Sequence, residues 1–458
     1  MARRVLLLHC PGDKVFLHDY YTSYSSKANY YWPPSDLILL SGWLRDFDLH
    51  ILDAIAERLS EEDCLRRIAA LAPEAVIFTT GTATWEHDRW FLERVRDAVP
   101  ARMIGSGSVF LFEARRFFED APWLDAAVLD LASPEIVDFV AGVERDYKTL
   151  ARRTAAGLLL PDVCPKPEQG FSIPVPRHDL FPHHRNRSPL ARRRPMALVV
   201  TSLGCPYTCR FCVAGSIPYR SRNVDNVIDE LRELKALGIR EVMFNDPTFT
   251  VSGRRVAELC RKMISAALDF SWYANGHAAS LSEDMIAAMA GAGCHSLMIG
   301  VESGSDALLV RYAKGVTRKK IKAAFDLCRR HRIRSLAYFI IGLPGETAES
   351  ALETIRFAKE LDPDFASFTV PTPDVGSALR REAIQAGWLA DGILAFDSTD
   401  FPVFAGGSLT REEIWALRQR ALRSFYLRPR YFWKLLRSVR RPRDVWFLAD
   451  QALSLFFR

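Results

Sequence analysis

Twice along this chain, short apolar runs alternate with amphipathic stretches of helical period, and that alternation leaves few folds open. Each apolar run reads as a strand buried on both faces and each amphipathic stretch as a helix covering it, which is the pattern of a parallel α/β sheet. In the first block the strands fall at 5–9, 49–53, 75–80, 102–107 and 126–131, with helical patterns near 36–45, 60–71, 86–99 and 110–118. They predict a doubly wound, Rossmann-like domain over 1–150. In the second block strands fall at 196–203, 241–245, 270–274, 296–302, 335–342 and 365–370, with helices such as 224–237, 253–268 and 348–361. Six such units predict a partial (β/α)6 TIM barrel over 196–400, with its chemistry at the carboxyl ends of the strands. Between the blocks, 151–195 carries Pro161, Pro165, Pro167, Pro174, Pro176, Pro182, Pro189 and Pro195 and the basic run Arg192 to Arg194, the composition of a linker. A helical tail broken by Pro429 and Pro442 fills 401–458.

A length of 458 residues accommodates these domains, each with its own core. No run of 18 apolar residues occurs, and Arg3 and Arg4 precede only a short apolar stretch at 5–8, which argues against a transmembrane helix and a signal peptide and for a cytoplasmic protein. Nine cysteines form no disulfide framework. Six of them, Cys10, Cys64, Cys164, Cys260, Cys294 and Cys328, stand alone in mostly apolar patterns and read as buried, inert thiols.

The other three stand together. Directly after the first barrel strand, Cys205, Cys209 and Cys212 form a C-x3-C-x2-C loop with Phe211 before the last cysteine. Three thiolates on one loop hold three irons of a [4Fe-4S] cluster and leave the fourth open. Zinc is the bland alternative, but it wants a fourth ligand nearby, and His183 and His184 are distant, in the linker.

This loop resembles that of the radical S-adenosylmethionine (SAM) superfamily, in which SAM chelates the open iron and is cleaved to a 5'-deoxyadenosyl radical. The resemblance continues at later strand ends. Asn245 and Asp246 are similar to the segment meeting the SAM amino group, Glu302 and Ser303 to that beside its ribose and carboxylate, and Gly342 to Thr347 (GLPGET, with Pro344) to that beside adenine. With Phe211 these are the expected SAM-binding residues. The individual polar roles stay open.

The whole chain resembles the cobalamin-binding radical SAM enzymes, a group of class B methyltransferases, magnesium-protoporphyrin cyclase-like and lipid-modifying enzymes. That resemblance implies cobalamin between the first domain and the barrel top. The small polar strand ends Thr79, Thr80, Gly81 and Gly105, Ser106, Gly107 are its expected contacts, although each reads equally as a tight strand-to-helix turn. The D-x-H-x-x-G motif that supplies a lower axial histidine is absent; His18 and His87 are the nearest histidines, each better read as a surface or hydrogen-bonded side chain. The aromatic segment 19–32 covers a planar cofactor or the substrate, or packs as an interface loop.

The implied function is C-methylation of an unactivated carbon through the 5'-deoxyadenosyl radical and methylcobalamin, with electrons from an external donor such as flavodoxin or ferredoxin. The alternatives are cyclisation, oxidation or C–C coupling of a lipid or isoprenoid without methyl transfer, and a non-catalytic cobalamin- or redox-sensing protein. From Arg411 onward, 12 Lys or Arg face 4 Asp or Glu, while the whole chain carries only +6. With an apolar face at 445–456, this end reads as a basic amphipathic segment that lies on an anionic membrane through 425–458, or else as a helix closing the barrel. The first reading implies a lipidic substrate in place of another small molecule. Aromatics interleave with these arginines, but no RNA-binding module accompanies them, which argues against nucleic acid.

Overall fold

The computed structural model describes residues 3–26, 30–162, 170–394, 397, 399–431 and 433; Cys164 and the amphipathic stretch 445–456 lie outside them. Among the described residues no helix is long and apolar enough to cross a membrane.

Five parallel strands, β1 (Arg4–His9), β2 (Asp48–Asp53), β3 (Ala75–Thr79), β4 (Arg102–Ser106) and β5 (Ala126–Val128), build the first sheet in the order 2-1-3-4-5. All five fall where the apolar runs place them. β3 is wholly buried, as its uninterrupted Ala-Val-Ile-Phe-Thr run requires. Side chains start the covering helices: Ser60 caps Glu61–Leu71 by accepting from Asp63 N, and three acidic residues in the first turn complement the helix dipole. The sheet continues past residue 150. β6 (Leu150–Thr154) pairs antiparallel with β5, and β7 (Gly157–Leu159) with β6, so the start of the proline-rich stretch forms a sheet edge.

The rest of that stretch is an ordered seam. Tyr31 and Arg187 exchange two backbone hydrogen bonds of 2.7 Å, His178 Nε2 lies 2.8 Å from Glu230 Oε1, and Asn186 Nδ2 donates to Met196 O. It delivers the chain to β8 (Met196–Val199), followed by β9 (Glu241–Phe244), β10 (Ser271–Gly276), β11 (Cys294–Glu302), β12 (Arg334–Ile340) and β13 (Phe365–Thr369). These six parallel strands pair in sequence order, giving the open barrel expected. Helix Arg411–Tyr426, started by a Thr410–Glu413 capping box, packs along the last strand.

The three largest apolar clusters are a core under the helices of the first sheet, a second under those of the barrel, and a third shared between the two. The shared core runs from Val5 and Leu7 through Tyr31, Trp32 and Phe181 to Met196, Leu198, Met243, Tyr273 and Met298 inside the barrel. It holds the carboxyl ends of both sheets against one another.

Candidate active site

The cysteine loop leaves the barrel after β8. A short antiparallel pair, Ser202–Leu203 with Arg220–Ser221, ties its two ends. Gly204 opens the loop at φ +70°, where a Cβ would stand 2.3 Å from Pro218 O, so only glycine fits. Its N–H donates to Tyr21 Oη of the first domain at 2.8 Å, which fixes the loop across the domain boundary. Within it, Cys212 N donates to Cys209 O at 3.0 Å.

The three thiols influence one another electrostatically. Burial pushes Cys212 up to about 12, and the neighbouring charges of Cys209 and Cys205 add to the rise. Burial also raises Cys209, which Lys314 opposes. Such thiols become thiolates when a metal supplies the missing positive charge. Among the described residues no three His, Cys, Asp or Glu side chains converge on a single metal position. A four-iron cluster takes each thiolate on a separate iron, so its ligands need share no centre, and the donor set fits it better than it fits zinc.

At the neighbouring strand ends the expected SAM residues fall into two groups. Phe211 and Glu302 stand with the thiols. Glu302, at φ +63°, accepts from Lys314 Nζ at 2.7 Å in a buried ion pair, and that ammonium lies 5.8 Å from the Phe211 ring centre. Asn245 and Asp246 follow β9, but the Asp246 carboxylate is consumed internally, accepting from Thr201 N at 2.6 Å, Thr201 Oγ1 and Ser202 N. It ties β9 to β8 beneath the cysteine loop. Ser303 is likewise engaged, accepting from Ser305 N and lying 3.3 Å from Thr354 Oγ1. Gly342, at φ +98°, leaves no room for a Cβ beside Ile414, and Pro344 O accepts from Tyr312 Oη at 2.8 Å. The same segment carries Glu346, which the sequence reading includes without assigning it a role. Glu346 is buried, its Oε2 accepts from Gly342 N, and its Oε1 has no partner among the described residues. Burial pushes this carboxyl up to about 7, so it is ready to meet a ligand's polar edge. Lys314 was missed, and nothing in its sequence surroundings marks it; Tyr21 lies in the aromatic segment 19–32, which the sequence singles out without showing this contact.

In the first sheet, strand order reverses between β1 and β3, and ligands of such sheets bind outside the strand ends at that point. The crevice there is lined by Thr80, Gly81, Thr82 and Ser108, with Asp374 and Val375 from the barrel side. Thr79, Gly105, Ser106 and Gly107 lie beneath it. Thr79 Oγ1 donates to buried Asp36, and Cβ atoms at Gly105 and Gly107 would strike Phe110 and Thr80 O. The small polar lining suits a cofactor tail, but residues Asp19 to Thr22 occupy the crevice and leave about 10 Å³. His18 is buried between His9 Nε2 and Thr84 Oγ1, and His87 pairs with Glu61 on the far side of the sheet domain's helices. Both ring nitrogens of His18 are thus engaged, and His87 is held by Glu61 through Nε2.

Between the domains a larger cavity of about 360 Å³ enters the barrel, lined by Tyr24, Tyr30 and Trp32 of the aromatic segment and by Tyr273, Met298 and Tyr338 of the barrel strands.

Four likenesses bear on this arrangement. Residues 199–358 match the model of the radical SAM superfamily. An uncharacterized methyltransferase of Pyrococcus horikoshii is 30% identical over 411 residues, 87% of this chain and 88% of that protein. The anaerobic magnesium-protoporphyrin IX monomethyl ester cyclase of Cereibacter sphaeroides is 27% identical over 91% of this chain and 71% of its own. Among solved structures, the radical SAM methyltransferase TsrM of Kitasatospora setae, with cobalamin and a [4Fe-4S] cluster bound, superposes with a TM-score of 0.65 at 20% identity, over 86% of this chain and 82% of that one, and so shares the fold. With the cysteine loop at the barrel mouth and a 30% identical relative aligned along most of both chains, this protein belongs to the radical SAM superfamily.

Proposed function

We propose that the protein is a cobalamin-dependent radical SAM methyltransferase that alkylates an unactivated carbon of a small molecule. One observation carries the reading: three thiols on a single loop stand at the mouth of a barrel whose lumen opens into an apolar cavity closed by the sheet domain. Cys205, Cys209 and Cys212 would hold a [4Fe-4S] cluster, Phe211, Asn245, Glu302 and Glu346 would border SAM, and Thr80, Gly81 and Ser108 would border cobalamin. When bound, these groups supply a carbon-centred radical and a transferable methyl group. The chain's own residues bind, orient and exclude water. Lys314, held by Glu302, places a positive charge beside the thiolates. Asp246 fixes the strand ends under the loop, and Tyr21 locks the loop to the first domain. The apolar cavity keeps water from a radical formed there. An external one-electron donor of the flavodoxin or ferredoxin type completes the system.

Anaerobically reconstituted protein tests this. About four irons per chain and formation of 5'-deoxyadenosine from SAM are expected, and Cys→Ala at 205, 209 or 212 abolishes both; retained cleavage in any of the three variants overturns the assignment. Methyl-labelled SAM then distinguishes chemistry. Label in the product together with bound cobalt supports methylation, and deoxyadenosine without label transfer supports a cyclase-type reaction, as the name of the Cereibacter relative suggests.

A further inference from the structure

The cavity contains one group that the chemistry above leaves unused. Arg418, on helix Arg411–Tyr426, lines it at 7% exposure. Its Nε donates to Phe368 O at 3.2 Å, and its guanidinium lies 4.6 Å from the Trp415 ring centre. The Nη atoms make no hydrogen bond or ion pair among the described residues. Other buried arginines do find acids: Arg222 pairs with Glu230 and Arg380 with Glu113. Burial pulls the Arg418 guanidinium below its ordinary range, and Asp400 and Asp397 oppose this only from beyond pairing distance. A cation withdrawn from water without an anion is unfavourable, and a ligand carrying one relieves it.

We propose that Arg418 anchors the carboxylate of a flat, largely apolar substrate lying in the cavity between the sheet domain and the barrel. The proposal rests on the radical SAM reading and names the substrate class for that site. With Nε engaged, the guanidinium keeps one edge of two Nη donors, which matches the two oxygens of a single carboxylate. Arg418 is the one Lys or Arg among the described lining residues, and Asp374 stands in the same wall, which disfavours a doubly charged phosphate. Tyr24, Tyr30, Trp32, Tyr273, Tyr338 and Phe365 present ring surface for stacking in the same wall, among Ser, Thr, Leu and Met side chains. A volume of about 360 Å³ suits one small-molecule ligand.

The probes are 1-pyrenebutyric acid and its methyl ester, titrated by fluorescence polarisation into the full-length, cluster-reconstituted protein. The acid is expected to bind about tenfold or more tightly than the ester. Arg418→Gln should remove that preference, weakening the acid and leaving the ester unchanged, and Arg418→Lys should restore part of it. Equal binding of acid and ester, no binding of the acid, or equal weakening of both by Arg418→Gln overturns the proposal. Should Arg418→Gln not fold, the acid-to-ester ratio of the native chain and the Arg418→Lys variant decide. Deoxyadenosine formation by the native protein is measured alongside. Its absence brings down the radical SAM reading of the site, whereas loss of acid preference alone brings down the carboxylate anchor.

Discussion

Glu346 shows how much of this site depends on single buried groups. It closes the Gly342–Thr347 turn by accepting from Gly342 N, while burial holds its carboxyl at about 7 against an ordinary 4.5. Between those two values the folded protein keeps a proton that the unfolded chain has released. Stability therefore falls as pH rises through that window, by at most about 3 kcal/mol for this group. Glu346→Gln keeps the acceptor for Gly342 and removes the titration, so its melting temperature should decline less between pH 5 and pH 8 than that of the native protein. The residual slope combines same-sign terms from Asp374, raised by burial to about 7, and from Asp19 and Asp88, raised by burial to about 6, with opposite-sign terms from His18, His183, His277 and His295, which burial holds below the ordinary imidazole range. Equal slopes in the two proteins would refute the assignment. At this scale the sequence was informative where chemistry is local. Cys205, Cys209 and Cys212 share one loop, and their spacing announces them. Lys314, Tyr21 and Arg418 act through partners brought close only by the fold, at separations no spacing rule addresses. Asp246 was legible as a strand-end acid, but not as the brace that Thr201 and Ser202 turn it into.

Among the elements, the strands were the most readable, because period and burial agree along them. Within the two main sheets, the strands that went unseen, β6 and β7, carry Arg152, Arg153 and exposed Leu159 and sit at an antiparallel edge, where one-sided burial weakens the apolar signal. The barrel's own edge poses the opposite problem, since β13 is last in its sheet and its outer backbone groups need partners. Helix Arg411–Tyr426 supplies one: Tyr426 Oη donates to Ala366 O at 2.7 Å and accepts from Ala366 N at 3.1 Å. A single hydroxyl thus mimics a neighbouring strand. Tyr426→Phe leaves both backbone groups unsatisfied under a half-buried ring, and a loss of about 1–3 kcal/mol is expected. Urea denaturation of the variant should show an earlier midpoint with an unchanged slope. An unchanged midpoint would mean that water satisfies the edge and that the helix is held by packing alone.

For the molecule as a whole, the decisive feature is the apolar core shared by the two sheets. Linker composition at 151–195 suggests separable domains, and proline content taken alone gives no reason to expect otherwise. Yet Ile173, Phe181 and Leu190 from that stretch are buried in the same cluster as Val5 and Leu7 of β1 and Leu198 of β8. Polar contacts reinforce it: Arg220 pairs with Asp130 at 2.6 Å, and Arg116 donates to Asp391 O and Gly392 O across the same boundary. Domains joined by a small polar interface unfold separately, whereas domains that share a hydrophobic core lose it together. The protein should therefore give one calorimetric endotherm, with tertiary and secondary structure lost at the same temperature. Asp130→Asn, which leaves Arg220 half-satisfied at the boundary, should lower that temperature without splitting the transition. Two resolved endotherms in the native protein would show that the connector is a linker in energetic terms as well as in composition. One endotherm would show that the cavity holding Arg418 is walled by a single cooperative unit, rigid enough to orient a substrate against a radical generated on the cysteine side.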